Sequence, residues 1–210
     1  MTKAQRCVCV IAGSVFVFAL VFALTGLDRG LSALCIGKVS GVVGEGAMGF
    51  VTGLGSYPWF LLGLLLWLIW RHRVHFWKVL LPMVFIVITA DFVSARILKP
   101  LIGRDRPRPA AGVHPSFPSN HATNWFAAVR ALASHEPRAT AVLYPLACVV
   151  GYSRVDLGAH YPADVVGGAA FGHLWAMLMI WFGSHFRRRL LLRFRRVGIF
   201  LLGCPSDNSS

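Results

Sequence analysis

Between Lys99 and Asp164 the chain carries three short motifs in order: Lys99-x6-Arg106-Pro107, Pro118-Ser119-Asn120-His121 and Ser153-Arg154-x5-His160-x3-Asp164. They supply three cations, two histidines, a serine and a carboxylate. These residue types suit chemistry at phosphorus. Fixed cations hold phosphoryl oxygens, one imidazole attacks, and a second protonates the leaving oxygen. Such a set needs no metal and no other cofactor.

Each motif also has a plainer reading. The stretch from Pro100 to Pro115 is rich in Pro, Gly and Arg, and a basic loop of this kind can simply touch lipid headgroups. Pro118 and Ser119 suit a helix start, where proline fits the first turn and serine caps free N–H groups. That start is also an anion site, because the free N–H groups and the helix dipole favour negative charge. Neither account gives His121 a reason to be there. Asp164 falls in the first turn of a helix opened by Pro162, where an acid favours the dipole. It is also four residues after His160, close enough to hold the Nδ1–H and leave Nε2 free.

The elements that must position these residues are membrane helices. The chain has 210 residues, 56% of them hydrophobic, and a mean hydropathy of +0.63. Apolar runs are expected to span the bilayer at Val8–Leu27, Val51–Trp70, Phe76–Leu98, Pro118–Ser134, Ala139–Tyr152 and Pro162–Phe186. The expected fold is an all-α integral membrane bundle of six transmembrane helices, a single domain over residues 1–210. The first run follows Lys3 and Arg6 like a secretion signal, but more spans follow and no clear cleavage site precedes Asp28, so a retained helix is expected. Residues 28–50 hold six glycines among apolar residues at roughly helical spacing, which suggests an amphipathic or broken helix at the membrane surface. Residues 187–210 form a basic tail, with Ser206–Ser210 expected to be disordered.

The formal charge is +13. Much of it flanks the spans, and no basic helix or aromatic platform stands apart, so nucleic acid is not the expected partner. With six spans both termini share a side with Lys3, Arg6, Arg71, Arg73, Lys78, Arg138 and the arginine tail. By the positive-inside rule that side is the cytoplasm. Lys99, Arg104, Arg106, Arg108 and Arg154 then lie on the outer side against the rule, and all five lie in or beside the motifs. The five cysteines, Cys7, Cys9, Cys35, Cys148 and Cys204, match no zinc spacing, and no disulfide is assigned.

The three ordered motifs resemble the tripartite signature of the type-2 phosphatidic acid phosphatase superfamily, which includes bacterial lipid phosphate phosphatases. The resemblance implies roles residue by residue. His160 would be the nucleophile that forms a phosphohistidine, with Asp164 orienting it. His121 would protonate the leaving oxygen and then activate water. Lys99, Arg106 and Arg154 would hold the phosphoryl oxygens, with Ser119 and the Asn120 amide as further donors. Asn120 departs from the pattern, since the family usually has glycine there. The implied activity is hydrolysis of a lipid phosphate or diphosphate at the outer face of a bacterial inner membrane. The partners are that lipid and the surrounding membrane lipids, with no obligate protein partner evident. Undecaprenyl diphosphate or another simple lipid phosphate is favoured, with lipid A 1-phosphate as the alternative. A lipid phosphotransferase with the same site and a non-catalytic lipid-phosphate transporter or receptor are the rivals.

Outside the motifs, Asp91 is an acid within an expected span and a functional candidate on that ground, or else a buried partner for Arg96 or His173. His173 sits among Gly167, Gly168 and Gly172, which suits close helix packing. Arg104, Arg108 and His114 are expected at a substrate headgroup or at the membrane surface.

Overall fold

The computed structural model describes the backbone of residues 2–54, 58–108 and 115–202, and their side chains apart from 58–61 and 190–202. His114, Cys204 and Ser206–Ser210 lie outside the described residues. The regular secondary structure of the described residues is helical, with no strand among them. The helices are α1 (Lys3–Thr25), α2 (Arg29–Cys35), α3 (Ser40–Val43), α4 (Glu45–Gly53), α5 (Pro58–His72), α6 (Trp77–Val93), α7 (Lys99–Ile102), α8 (Asn120–Leu132), α9 (Thr140–Asp156) and α10 (Pro162–Leu202). Residues Met1–Met177 form one compact unit and Leu178–Ser210 a second.

A helix covers most of every apolar run expected from the sequence. Among the described residues, three of the six expected spans lie in helices both long and apolar enough to cross a bilayer, Lys3–Thr25, Trp77–Ile102 and Pro162–Arg189, and the bent run Arg29–Val43 with Glu45–Gly53 makes a fourth if it is one span. Their outer faces expose large apolar residues, such as Val10, Ile11, Val17 and Phe18 on α1 and Leu81, Phe85, Ile88 and Phe92 on α6. An aqueous protein does not leave whole helix faces of this kind bare; a membrane protein turns them to lipid tails.

Local sequence explains where the helices stop. Thr2 and Gln5 form a reciprocal capping box at the start of α1, and Gly26, at φ +70°, closes its end. Residues 28–53 form the broken run expected there. Arg29–Val43 and Glu45–Gly53 meet at 103°, with Gly44 at the break. Before Lys99 the α6 helix widens into a π turn at Ser94–Leu98, a distortion that often accompanies a functional residue. In the second unit the basic stretch continues α10 as helix, and Trp181 stacks on His185 at 5.4 Å.

In the first unit α8 packs closely against the start of α10. Gly168 and Gly172 let the two backbones touch: a Cβ on Gly168 would lie 2.5 Å from the Ser119 carbonyl oxygen, and one on Gly172 only 2.1 Å from that of Thr123. A Cβ at Gly167 would strike the Phe117 ring at 2.6 Å. Phe117 is fully buried and packs with Ala19, Ala23 and Phe16 of α1. This close approach brings the start of α8 against the start of α10.

Candidate active site

The site forms where four chain segments end on one face: the end of α6, the start of α8, the end of α9 and the start of α10. Gly158, at φ +70°, turns the chain after α9, and the amides of Ala159 and His160 return to the Arg154 carbonyl at 3.0 and 3.1 Å. His160 is thereby fixed just ahead of α10. Asp164 accepts the Tyr161 N–H at 2.8 Å, closing the first turn of that helix. Across the glycine seam the Ser119 amide donates to the Asp164 carbonyl at 2.9 Å.

Asp164 is completely buried and its carboxylate has a full set of partners. Arg104 Nη1 donates to Oδ1 at 2.6 Å. Oδ2 accepts the Ser116 hydroxyl as well as the Tyr161 amide. His160 Nδ1 lies 3.3 Å from Ser116 Oγ and 3.6 Å from Asp164 Oδ2. Ser116 has one hydrogen, and the carboxylate takes it. Its oxygen can then only accept from His160, which places the imidazole proton on Nδ1 and leaves the Nε2 lone pair free. The reach from Asp164 to His160 expected from their four-residue spacing is therefore shared with a serine that the motif does not contain. Burial pushes the His160 ring down to about 4, against the raising influence of Asp164, so the ring is neutral near pH 7.

Arg104 is the largest departure from the sequence reading. It is buried, not at a headgroup or membrane surface. Its guanidinium bridges Asp164 and Asp28, donating to Asp28 Oδ2 at 3.2 Å and also to Oδ1, with the Tyr161 ring 4.1 Å away. Asp28 also accepts the Ala163 amide at 3.0 Å. Sequence reasoning missed Asp28 and Ser116. A signal existed for Asp28, because the expected topology puts it on the motif side, where a carboxylate among so many cations needs a partner.

The three expected cations converge. Lys99 is buried and donates to the carbonyls of Pro115 and Ser116 at 2.8 and 3.3 Å. Arg106 donates to the Ala159 carbonyl at 3.1 Å. Arg154 donates to Thr52 at 3.1 Å, while its Nε is buried without a partner. Burial lowers the proton affinity of both arginines, and the nearby Arg106 charge lowers that of Arg154 further. An anion between them would relieve that repulsion. His121 is within electrostatic range of Arg154, His160 and Arg106.

Two further residues differ from simple expectation. Ser119 makes no capping bond; its Oγ is buried and unpartnered, and its amide is held by Asp164. Its backbone stays extended and α8 begins at Asn120, so Pro118 precedes the helix instead of opening it. Asp91 pairs with neither Arg96 nor His173. Its Oδ1 accepts from Asn120 at 3.0 Å and from Asn124 at 2.8 Å, and Asn120 Oδ1 in turn accepts from Ser94 at 3.0 Å. Asn120 and Asn124, one turn apart on α8, face the acid on α6 and take it before Arg96 can. His173 instead meets Tyr144 at 3.1 Å, a packing role. Arg108 is exposed, 3.9 Å from Glu45.

The broken run over residues 28–53 walls one side of the site. Buried Asp156 at the end of α9 accepts the amides of Val39 and Ser40 at 2.8 and 3.0 Å, and Thr52 of α4 meets Arg154.

A family model described as the PAP2 superfamily matches residues 79–188. The chain belongs to this superfamily. The match contains all three motifs and runs from α6 into α10. Among curated proteins the chain is similar to a lipid A 1-phosphatase of Rhizobium johnstonii, 36% identical over 107 residues, or 45% of this chain and 44% of that protein. It is also similar to a decaprenylphosphoryl-5-phosphoribose phosphatase of Mycobacterium tuberculosis, 40% identical over 87 residues, covering 37% of this chain and 47% of the other. The chain thus spans about half the length of these relatives. Among solved structures it is similar to a transmembrane PAP2-type phosphatidylglycerolphosphate phosphatase of Bacillus subtilis. That likeness has a TM-score of 0.61 and 27% identity, over 83% of this chain and 96% of the other.

Proposed function

We propose that the protein hydrolyses a lipid phosphate or diphosphate through a phosphohistidine on His160, without a metal. The observation that carries this reading is the ordered contact from Asp164 through Ser116 to His160 Nδ1, beside Lys99, Arg106 and Arg154. His160 Nε2 attacks phosphorus while the bond to the leaving oxygen breaks, and His121 gives that oxygen a proton. Water then attacks the phosphohistidine, His121 takes its proton, and inorganic phosphate leaves. Lys99, Arg106, Arg154, the free Ser119 hydroxyl and the Asn120 amide hold the phosphoryl oxygens as charge shifts between them. Arginines grip two oxygens at once, which suits a trigonal phosphoryl group.

The same reading places six spans across the bacterial inner membrane in one domain over residues 1–210, with both termini cytoplasmic and the site at the outer face. Lys3, Arg6, Arg71, Arg73, Lys78, Arg138 and the arginine tail support this orientation by the positive-inside rule, and the outer cations that break the rule have the phosphate site as their cause. The substrate is undecaprenyl diphosphate or a glycerophospholipid phosphate. Lipid A 1-phosphate is a second reading, favoured by the similarity to the Rhizobium johnstonii protein.

Phosphate release from a panel of these lipids by purified protein in EDTA, beside His160→Ala, tests the proposal. Release that survives EDTA and disappears in the variant is the expected result. Equal release by His160→Ala would overturn the phosphohistidine step, and dependence on added metal would overturn the metal-free mechanism.

A further inference from the structure

Beside His121 lies a cavity of about 420 Å³ that the mechanism above does not use. Its wall is mostly apolar, with Met83, Val84, Val87 and Ile88 of α6 among its lining. Four polar side chains interrupt that wall: Asp91, Asn120, His121 and Asn124. A carboxylate within a membrane helix is costly and marks function unless its partners fully occupy it. Here they do not. Both amide groups donate to Asp91 Oδ1, and no hydrogen bond among the described residues uses its Oδ2. Asn124 Oδ1 is buried without a partner. Both unused atoms are acceptors, and the amide groups of Asn120 and Asn124 are already turned to Asp91 Oδ1.

The position says whose donor would meet these acceptors. His121 is the proposed acid to the leaving oxygen, so the cavity beside it receives the leaving side of the substrate, not the phosphate. Asn120 ties the two functions together, since its neighbour in sequence is His121 and its side chain holds Asp91. A glycine at this position could not make that tie.

We infer that the Asp91–Asn124 pair is a specificity site for the leaving group, and selects lipid phosphates that carry a hydroxyl or N–H donor next to the scissile phosphate ester. The inference rests on the phosphatase reading above and narrows it. Glycerol- and sugar-borne phosphates have such a donor, whereas prenyl diphosphates and fully acylated phosphatidate do not. A site built to bond a substrate hydroxyl rejects the analogue lacking it, because its polar groups are then left unpaired. Bonds to a charged acceptor make that discrimination roughly tenfold or more.

The test uses a matched pair, lysophosphatidate and its 2-deoxy analogue, which differ by one hydroxyl beside the phosphate ester. Wild-type kcat/KM should favour the hydroxyl-bearing lipid by about tenfold or more, and Asp91→Asn and the near-isosteric Asn124→Leu should both bring the ratio to within about twofold of one. Calorimetric titration of His160→Ala with the same pair gives the ratio in binding, without turnover. A ratio near one in both wild-type turnover and binding overturns the specificity site while leaving the phosphatase reading intact. A binding preference without phosphate release from either lipid supports the site and sinks the phosphatase reading instead.

Discussion

The two proposed catalytic histidines stand in opposite surroundings. His160 is in a sealed corner, where Asp164, Ser116, Arg104 and Asp28 pair with one another and the Tyr161 and Ala163 amides join them, with Arg104 Nε left buried and unpartnered. His121 borders a cavity whose polar groups have unused acceptors. A nucleophile must have one tautomer and one orientation before any substrate arrives, so its neighbours are finished in advance. A leaving-group acid works beside the part of the lipid that varies, so its neighbours keep acceptors for the substrate.

Breaking the sealed side at its carboxylate should have the largest effect. Asp164→Asn is expected to keep the fold and to lower kcat by up to about 10⁴ if Asp164 acts as a triad acid does. The pH profile adds a signed check. In the wild type the acid limb belongs near pH 4, because burial lowers the His160 ring to about 4. Asp164 opposes that lowering, so its loss should move the limb lower still; an upward shift would refute the orienting role.

Arg104→Met comes next. It leaves Asp28 and Asp164 buried without their cation, a change that costs roughly 3–5 kcal/mol, and thermal unfolding in detergent would show it. Ser116→Ala is smaller. His160 keeps Asp164 at 3.6 Å but loses its serine acceptor, so kcat should fall by about tenfold with lipid affinity held. An unchanged kcat would mean that the carboxylate reaches the ring unaided. The smallest effect belongs to Arg108→Ala, within about 0.5 kcal/mol in stability, because an exposed ion pair contributes little. Arg104 and Arg108 lie four residues apart in one loop, so the pair tests whether the sealed corner or the local charge matters.

That pair also marks how far the sequence is legible. The helices follow from apolar runs and their caps, and the motif residues from types that have few other uses at a membrane face. Spacing within a motif carries over directly: His160 and Asp164 meet because four residues make one turn of chain into α10. Partnerships between distant segments leave no such trace. Asp28 and Arg104 are 76 residues apart, and only the packing of α1 beside the site brings them together. The same holds for Asp91, whose partners on α8 are set by the faces that α6 and α8 present. Ser119 caps nothing: the glycine seam holds its amide on the Asp164 carbonyl, a bond that no local rule contains, and its Oγ is buried without a partner.

The seam itself governs how a lipid can arrive. Where Gly168 and Gly172 meet the backbone of α8, the two helices leave no gap wide enough for an alkyl chain. A molecule moving sideways out of the bilayer is therefore barred from the α10 side of His121. The cavity lies on the other flank, where Leu64, Met83 and Ile88 border it.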